Sequence, residues 1–153
     1  MTVSADTRNK VVTELLNGTL ASIKNVVPIE FQINKPKRVD KDFRLNFGVL
    51  IGITGDIKGK LVFTGHPPTF NAIGEKMFGM SLDEEMLISF SGELGNMIAG
   101  GLSTNVAQNG TNINITAPTI MQGNTNLSGF KHALEVTLGF KETGEMNTYL
   151  LLD

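Results

Sequence analysis

Apolar residues at every second position dominate the middle of the chain. Phe43, Leu45, Phe47, Val49, Ile51 and Ile53 occupy every second position, which predicts that all six share one face of an extended strand. Gly55 and Asp56 supply a turn, and Ile57, Gly59, Leu61 and Phe63 continue the alternation. Such a β-hairpin needs a second layer over its apolar face. Residues 7–27 can help to provide it as a helix, since Val12, Leu15, Leu16, Leu20, Ile23 and Val27 recur at three- and four-residue spacing. Asp6 is placed to cap this helix, and Pro28 to end it. Pro67 and Pro68 open a short helix to about Met80, with Phe70, Ile73, Met77 and Phe78 as its packing face. Ser81 or Asp83 caps a longer helix that runs to about Gln108. Short strands are expected at 29–33, around Ile113 and Ile115, and near Ile120, with Pro118 in a loop. A last hairpin pairs 131–141 with 145–152. The order of elements predicts an α+β fold, with helices packed on a largely antiparallel sheet.

The 153 residues fit one domain, 1–153, because two cores would each be too small to bury much. A hydrophobic share of 41% against 18% charged residues suits a folded globular chain. The net charge of −2 argues against a general nucleic-acid binder, which needs a concentrated positive field. Without cysteine there is no disulfide, thiolate metal site or cysteine nucleophile. The two histidines, His66 and His132, are too isolated to suggest a metal centre. The opening MTVSADTRNK lacks an apolar signal core, and no run reaches the ~20 apolar residues that span a bilayer. A cytoplasmic protein without membrane insertion is expected. The Asn-x-Ser/Thr sequons at Asn17, Asn109, Asn114 and Asn126 then carry no meaning. The basic run Lys35, Lys37, Arg38 and Lys41 reads as a solvated loop, and the Asn- and Thr-rich segment 103–128 as loop-rich.

Several catalytic patterns fail. Gly55 and Gly59 are separated by three residues where a phosphate loop needs four, and Lys60 precedes Leu61 instead of Ser or Thr. Neither a Gly-x-Gly-x-x-Gly nor a Gly-x-Ser-x-Gly motif occurs. Glu14 and Asn17 share one side of the first helix, a pairing that fits two solvated residues.

The informative segment is SFSGELGNMIAGG, Ser89 to Gly101. On a helix, Met86, Leu87, Phe90, Leu94, Met97 and Ile98 cover one broad apolar face, while Ser89, Glu93, Asn96 and Gly100 form a narrow strip beside it. Gly92, Gly95, Gly100 and Gly101 each cost a helix interior about 1 kcal/mol relative to alanine. Two explanations are open: close packing of the helix on its own sheet, or close approach of a partner's backbone to the polar strip. Periodicity alone equally allows Glu93 and Asn96 to be solvated residues without a role.

The spacing Ser89-x3-Glu93-x2-Asn96 with Pro118 downstream, together with GELGNMIAG, VLIGITGDIKGKLVF and NITAPTIMQG, resembles the CheC/CheX/FliY family of chemotaxis phosphatases, most closely its CheX branch. The resemblance covers about residues 8 to 152. It implies a CheC-like fold, with long helices packed on one face of the sheet. It also implies a hydrolase that dephosphorylates the aspartyl phosphate of a CheY-type response regulator. Asn96 would position the attacking water and Glu93 would dock the regulator's lysine, with Ser89 and Pro118 in supporting positions. No cofactor of its own is implied; the Mg2+ belongs to the regulator. The CheC branch carries two such helices and the CheX branch one. Glu14 and Asn17 lack the flanking Asn-Met-small-Gly context, so one site per chain is expected. The branch also implies a homodimer paired through its sheet. The lack of proline and the few charges between Leu134 and Leu152 suggest the C-terminal hairpin as an unprotected edge. A non-catalytic module of the same fold, binding a regulator or a flagellar switch component, is the alternative.

Overall fold

The structure, a computed structural model, describes residues 5–153, with side chains from Lys10 onward. Helix α1 (Ala5–Val26) is followed by strands β1 (Phe31–Ile33), β2 (Lys37–Arg38), β3 (Phe43–Gly55) and β4 (Gly59–Gly65). Helices α2 (Pro67–Phe78) and α3 (Glu84–Ala107) come next. Strands β5 (Ile113–Ile115), β6 (Thr119–Leu127), β7 (His132–Phe140) and β8 (Gly144–Leu152) close the chain. The eight strands form one sheet in the order β1-β7-β8-β4-β3-β5, with β2 also beside β7 and β6 also beside β3. All pairings are antiparallel. The chain is therefore α+β, as its pattern of elements predicts.

The main core lies between the helices and one face of the sheet. Phe47, Val49, Ile51 and Ile53 of β3 meet Leu61 and Phe63 of β4, Phe70 and Ile73 of α2, and Leu94, Ile98 and Leu102 of α3. Phe47 and Phe70 pack edge to face, with centroids 5.1 Å apart. The hairpin alternation holds here, but not along its full length. A register shift between Leu45 and Phe47 interrupts the pairing of β3 with β6. An irregularity of this kind changes which face a side chain occupies. Phe43 and Leu45 consequently join a second cluster with Val62, Tyr149 and Leu151. Phe43 stacks on Tyr149 at a centroid distance of 3.8 Å. The Tyr149 hydroxyl donates to the Glu135 carboxylate. Burial, and then the neighbouring carboxylate, push this phenol well above its usual value of 10.0.

Other expectations change for related reasons. Helix α1 already includes Ala5 and Asp6, so Asp6 is not its cap; the Asp6 side chain lies outside the described residues. The basic run is not wholly loop, because Lys37 and Arg38 pair with Glu135 and Leu134. Segment 103–128 contains the end of α3 and all of β6, which lies against Phe43–Leu50 despite its Asn and Gly content. The free edge of a thirteen-residue strand supplies the pairing that intrinsic propensity does not. The C-terminal hairpin is interior to the sheet: β4 flanks β8, and β1 and β2 flank β7. Neither arm of that hairpin is an open edge.

Helix α3 sits unusually close to its neighbours. A Cβ on Gly95 would come within 2.8 Å of Val49 Cγ1 and 3.2 Å of Ile51 Cδ1. Ser22 Oγ occupies the space a Gly101 Cβ would need, and it donates a 2.7 Å hydrogen bond to the Ile98 carbonyl. Gly18 of α1 faces Leu102 in the same interface, and its carbonyl accepts from Asn105 Nδ2 at 2.9 Å. The helix is thus fixed on two sides by contacts that exclude a larger residue. Gly95→Leu should lower stability by about 1–3 kcal/mol through overpacking, read as a reduced Tm in thermal denaturation.

Candidate functional site

Helix α3 begins at Asp83, whose carboxylate accepts from the Met86 amide at 2.8 Å. Of the two caps that the sequence allows, Asp83 is the one used. Phe90, Leu94, Ile98 and Leu102 then form the buried ridge, and Gly95 and Gly101 bring the helix against β3 and α1. The opposite side is solvated. Ser89 and Glu93 are exposed and Asn96 is half-buried, so the three fall on one outward strip. Among the described residues, none of these side chains has a hydrogen-bond or ion-pair partner. Nearby hydroxyls behave differently: Ser91 Oγ donates to the Leu87 carbonyl at 2.7 Å, and Thr104 Oγ1 to the Gly100 carbonyl at 3.2 Å.

Pro118 comes to the same helix from the sheet. Between β5 and β6 the edge of β3 is bridged by Thr116. Its amide donates to the Gly52 carbonyl at 3.0 Å, and its hydroxyl accepts from the Gly52 amide at 2.8 Å. A side chain thus supplies one of the ladder bonds where the strand is broken. The following residues bring Pro118 over Gly92, where an added Cβ would lie 3.6 Å from Pro118 Cγ and 3.4 Å from Ile120 Cδ1. Gly92 immediately precedes Glu93. The structure therefore brings Ser89, Glu93, Asn96 and Pro118 to one region, with Pro118 supporting the turn that carries the carboxylate.

Two features differ from the helical-wheel expectation. Met86 and Met97 are 40% and 39% exposed, so they do not belong to the packing face. The buried arc is centred on the Phe90–Leu102 ridge, and both methionines lie beyond its rim, next to Glu93. Phe78, the last residue of α2, and Met80, just beyond it, are 59% and 56% exposed, and the Phe78 ring meets Phe90 edge to face at 5.6 Å. Alternation and helical periodicity did not separate these exposed apolar residues from core ones.

The Glu14 and Asn17 pair has another setting. Glu14 Oε2 accepts from Thr111 Oγ1 at 3.2 Å, whereas Asn17 is exposed. Adjacent Gly18 is committed to the α1–α3 contact. Among the described residues, no group of three or more His, Asp or Glu side chains could hold a metal ion. No helix among them is long and apolar enough to cross a membrane. A groove of about 1120 Å³ between the end of α1 and β1 is lined by Lys24, Pro28, Phe31 and Lys141, and contains none of the strip residues.

The fold corresponds to that of a known class. The family described as chemotaxis phosphatase CheX matches residues 47–138. The CheY-P phosphatase CheX of Thermotoga maritima is 32% identical over 118 residues, covering 74% of this chain and 76% of that protein. The chemotaxis protein CheX from Desulfovibrio desulfuricans superposes with a TM-score of 0.79 at 17% identity, over 94% of this chain and 99% of that one. A chain of the CheX–CheY–BeF3–Mg2+ complex from Borrelia burgdorferi gives a TM-score of 0.75 at 19% identity, over 92% and 96% of the two chains. The chain belongs to the CheX family of chemotaxis phosphatases.

Because the strip makes no internal hydrogen bond or ion pair, Glu93→Ala and Asn96→Ala should each leave folding stability within about 0.5 kcal/mol of the parent. Denaturant titration measures this directly, with an unchanged midpoint expected.

Proposed function

We propose that this chain hydrolyses the aspartyl phosphate of a CheY-type response regulator, with Asn96 holding the attacking water and Glu93 meeting the regulator's lysine. The observation that carries the reading is the geometry of α3. An amide and a carboxylate one turn apart face outward without internal partners, on a helix fixed closely against the sheet and α1. An acyl phosphate is already activated. The water oxygen attacks phosphorus, and the bond between phosphorus and the aspartate oxygen breaks. The aspartate leaves as a carboxylate, and the water protons end on phosphate and solvent. The regulator supplies Mg2+ and a lysine to hold the phosphoryl oxygens, in keeping with the Mg2+ and BeF3 of the Borrelia complex. The remaining requirement is an in-line water. A neutral amide can donate to and accept from that water, as a glutamine does in GTPases, but it is not a base near pH 7. The acceleration comes from positioning. Glu93 contributes a charge-assisted pair that sets the register of the two proteins. Ser89 and Pro118 support this arrangement without touching the phosphoryl group.

The direct experiment follows the decay of a phosphorylated CheY-type receiver domain with and without the protein. Accelerated decay is expected, and an unchanged rate across the receiver domains of the source genome contradicts the proposal. Glu93→Lys should weaken docking by roughly tenfold or more, since it places like charges together. Titration against the receiver measures the loss. Glu14→Ala combined with Asn17→Ala should retain most activity in the same assay. Loss of activity in that folded double variant reveals a second site.

The chain also pairs with a second copy through its sheet in this reading. Strand β6 offers the suitable edge: its nine residues, TIMQGNTNL, contain neither proline nor charge, and its outer side pairs with no other strand among the described residues. Sedimentation at micromolar concentration should give about twice the 16.5 kDa chain mass. Gln122→Pro on the edge should shift the population towards the monomer.

A further inference from the structure

The four glycines of α3 differ in what surrounds them. Gly92 lies beneath Pro118 and Ile120, Gly95 lies on Val49, and Gly101 lies on Ser22. Gly100 has no such neighbour, since an added Cβ would meet nothing within 4 Å. It lies well inside a 24-residue helix, where glycine is unfavourable, and no contact within the chain requires it. Its place is one turn beyond Asn96 on the outward side.

The exposed methionines occupy the same side. At about 100° per residue, Met86, Glu93 and Met97 fall within about 40° of one another along the helix. Both methionines are substantially solvent-exposed, and Phe78 and Met80 extend this apolar surface beside the first half of α3. The acidic residues of this half, Asp83, Glu84, Glu85 and Glu93, are also exposed. The result is an exposed carboxylate with adaptable apolar side chains before and after it along the helix, and a bare backbone beyond the amide.

We infer that Met86, Met97 and Gly100 form the docking face for the phosphorylated receiver domain. The methionines are its apolar anchors, and Gly100 is the point of closest backbone approach. This inference rests on the proposed reading of Glu93 and Asn96. Continuity with that pair selects the occupant, because any partner that brings an aspartyl phosphate to Asn96 also covers Met97 and Gly100. Glu93 complements a lysine-bearing surface, and exposed Glu85 lies on the same side of the helix about two turns earlier. Methionine adapts its shape to such a partner, while the missing Cβ at Gly100 lets the partner's main chain come within van der Waals contact of the helix.

The test uses the full chain and receiver domains of the source genome loaded with beryllofluoride and Mg2+, with calorimetric binding and phosphate-decay rates measured in parallel. Gly100→Gln should raise Tm by about 2–4 °C, because a good helix former replaces glycine at an open position. The same variant should weaken receiver binding at least about tenfold. Met97→Ala should weaken binding about fivefold, with the rate at saturating receiver retained within about twofold. A stabilised Gly100→Gln variant that binds as tightly as the parent overturns the inference while leaving the phosphatase reading intact. Unchanged binding by Met97→Ala overturns the anchor role in the same way. If no loaded receiver binds the parent chain, both readings fall together.

Discussion

The contact between helix α3 and its two neighbours sets the rest of the arrangement. Gly95 meets Val49 of β3, and Gly101 meets Ser22 of α1, at separations that a Cβ would violate. Ser22 adds a hydrogen bond to the Ile98 carbonyl in the same interface. Each glycine weakens the isolated helix by about 1 kcal/mol, a loss that burial of the Leu94–Leu102 ridge can offset. Once α3 is held from below and from one side, its remaining surface has a fixed direction. Glu93 and Asn96 are carried on that surface by the helix backbone, not by a loop.

This division of labour suits hydrolysis of an acyl phosphate. The chain needs neither a nucleophile nor a metal of its own if the partner brings an activated phosphoryl group and its cation. What it can add is an ordered water, and order requires a rigid support for the amide. The pairing of Thr116 with Gly52 serves the same end, because it brings Pro118 against the turn before Glu93. A side-chain interaction at a strand break is thereby linked to the position of a carboxylate on a helix.

Much of this was legible in the sequence, and the exceptions have identifiable causes. The alternation from Phe47 to Phe63 correctly indicated a hairpin with one buried face, but it could not reveal the register shift that turns Phe43 and Leu45 towards Tyr149. The Asn- and Thr-rich composition of 103–128 marks only a short strand near Ile120 and conceals the full length of β6, whose nine residues depend on the unpaired edge of β3 and not on local preference. Motif spacing brought Ser89, Glu93, Asn96 and Pro118 to notice, and the fold places them in one region. It did not indicate that Met86 and Met97 stand beside Glu93 in solvent, because hydrophobicity is the same whether a methionine faces a core or a partner. The unusual glycine content was informative, but only the three-dimensional contacts separate Gly95 and Gly101, used within the chain, from Gly100, which is not.

The central claim is that Asn96 positions water and does not remove its proton. Asn96→Asp tests it most directly, since aspartate has the same shape and can act as a base but cannot donate from the amide position. The measurement is the single-turnover decay of a phosphorylated CheY-type receiver at saturating variant protein. The account predicts a fall of roughly a hundredfold or more towards the uncatalysed rate. A rate equal to or above that of the parent would contradict it and make the residue at this position a general base.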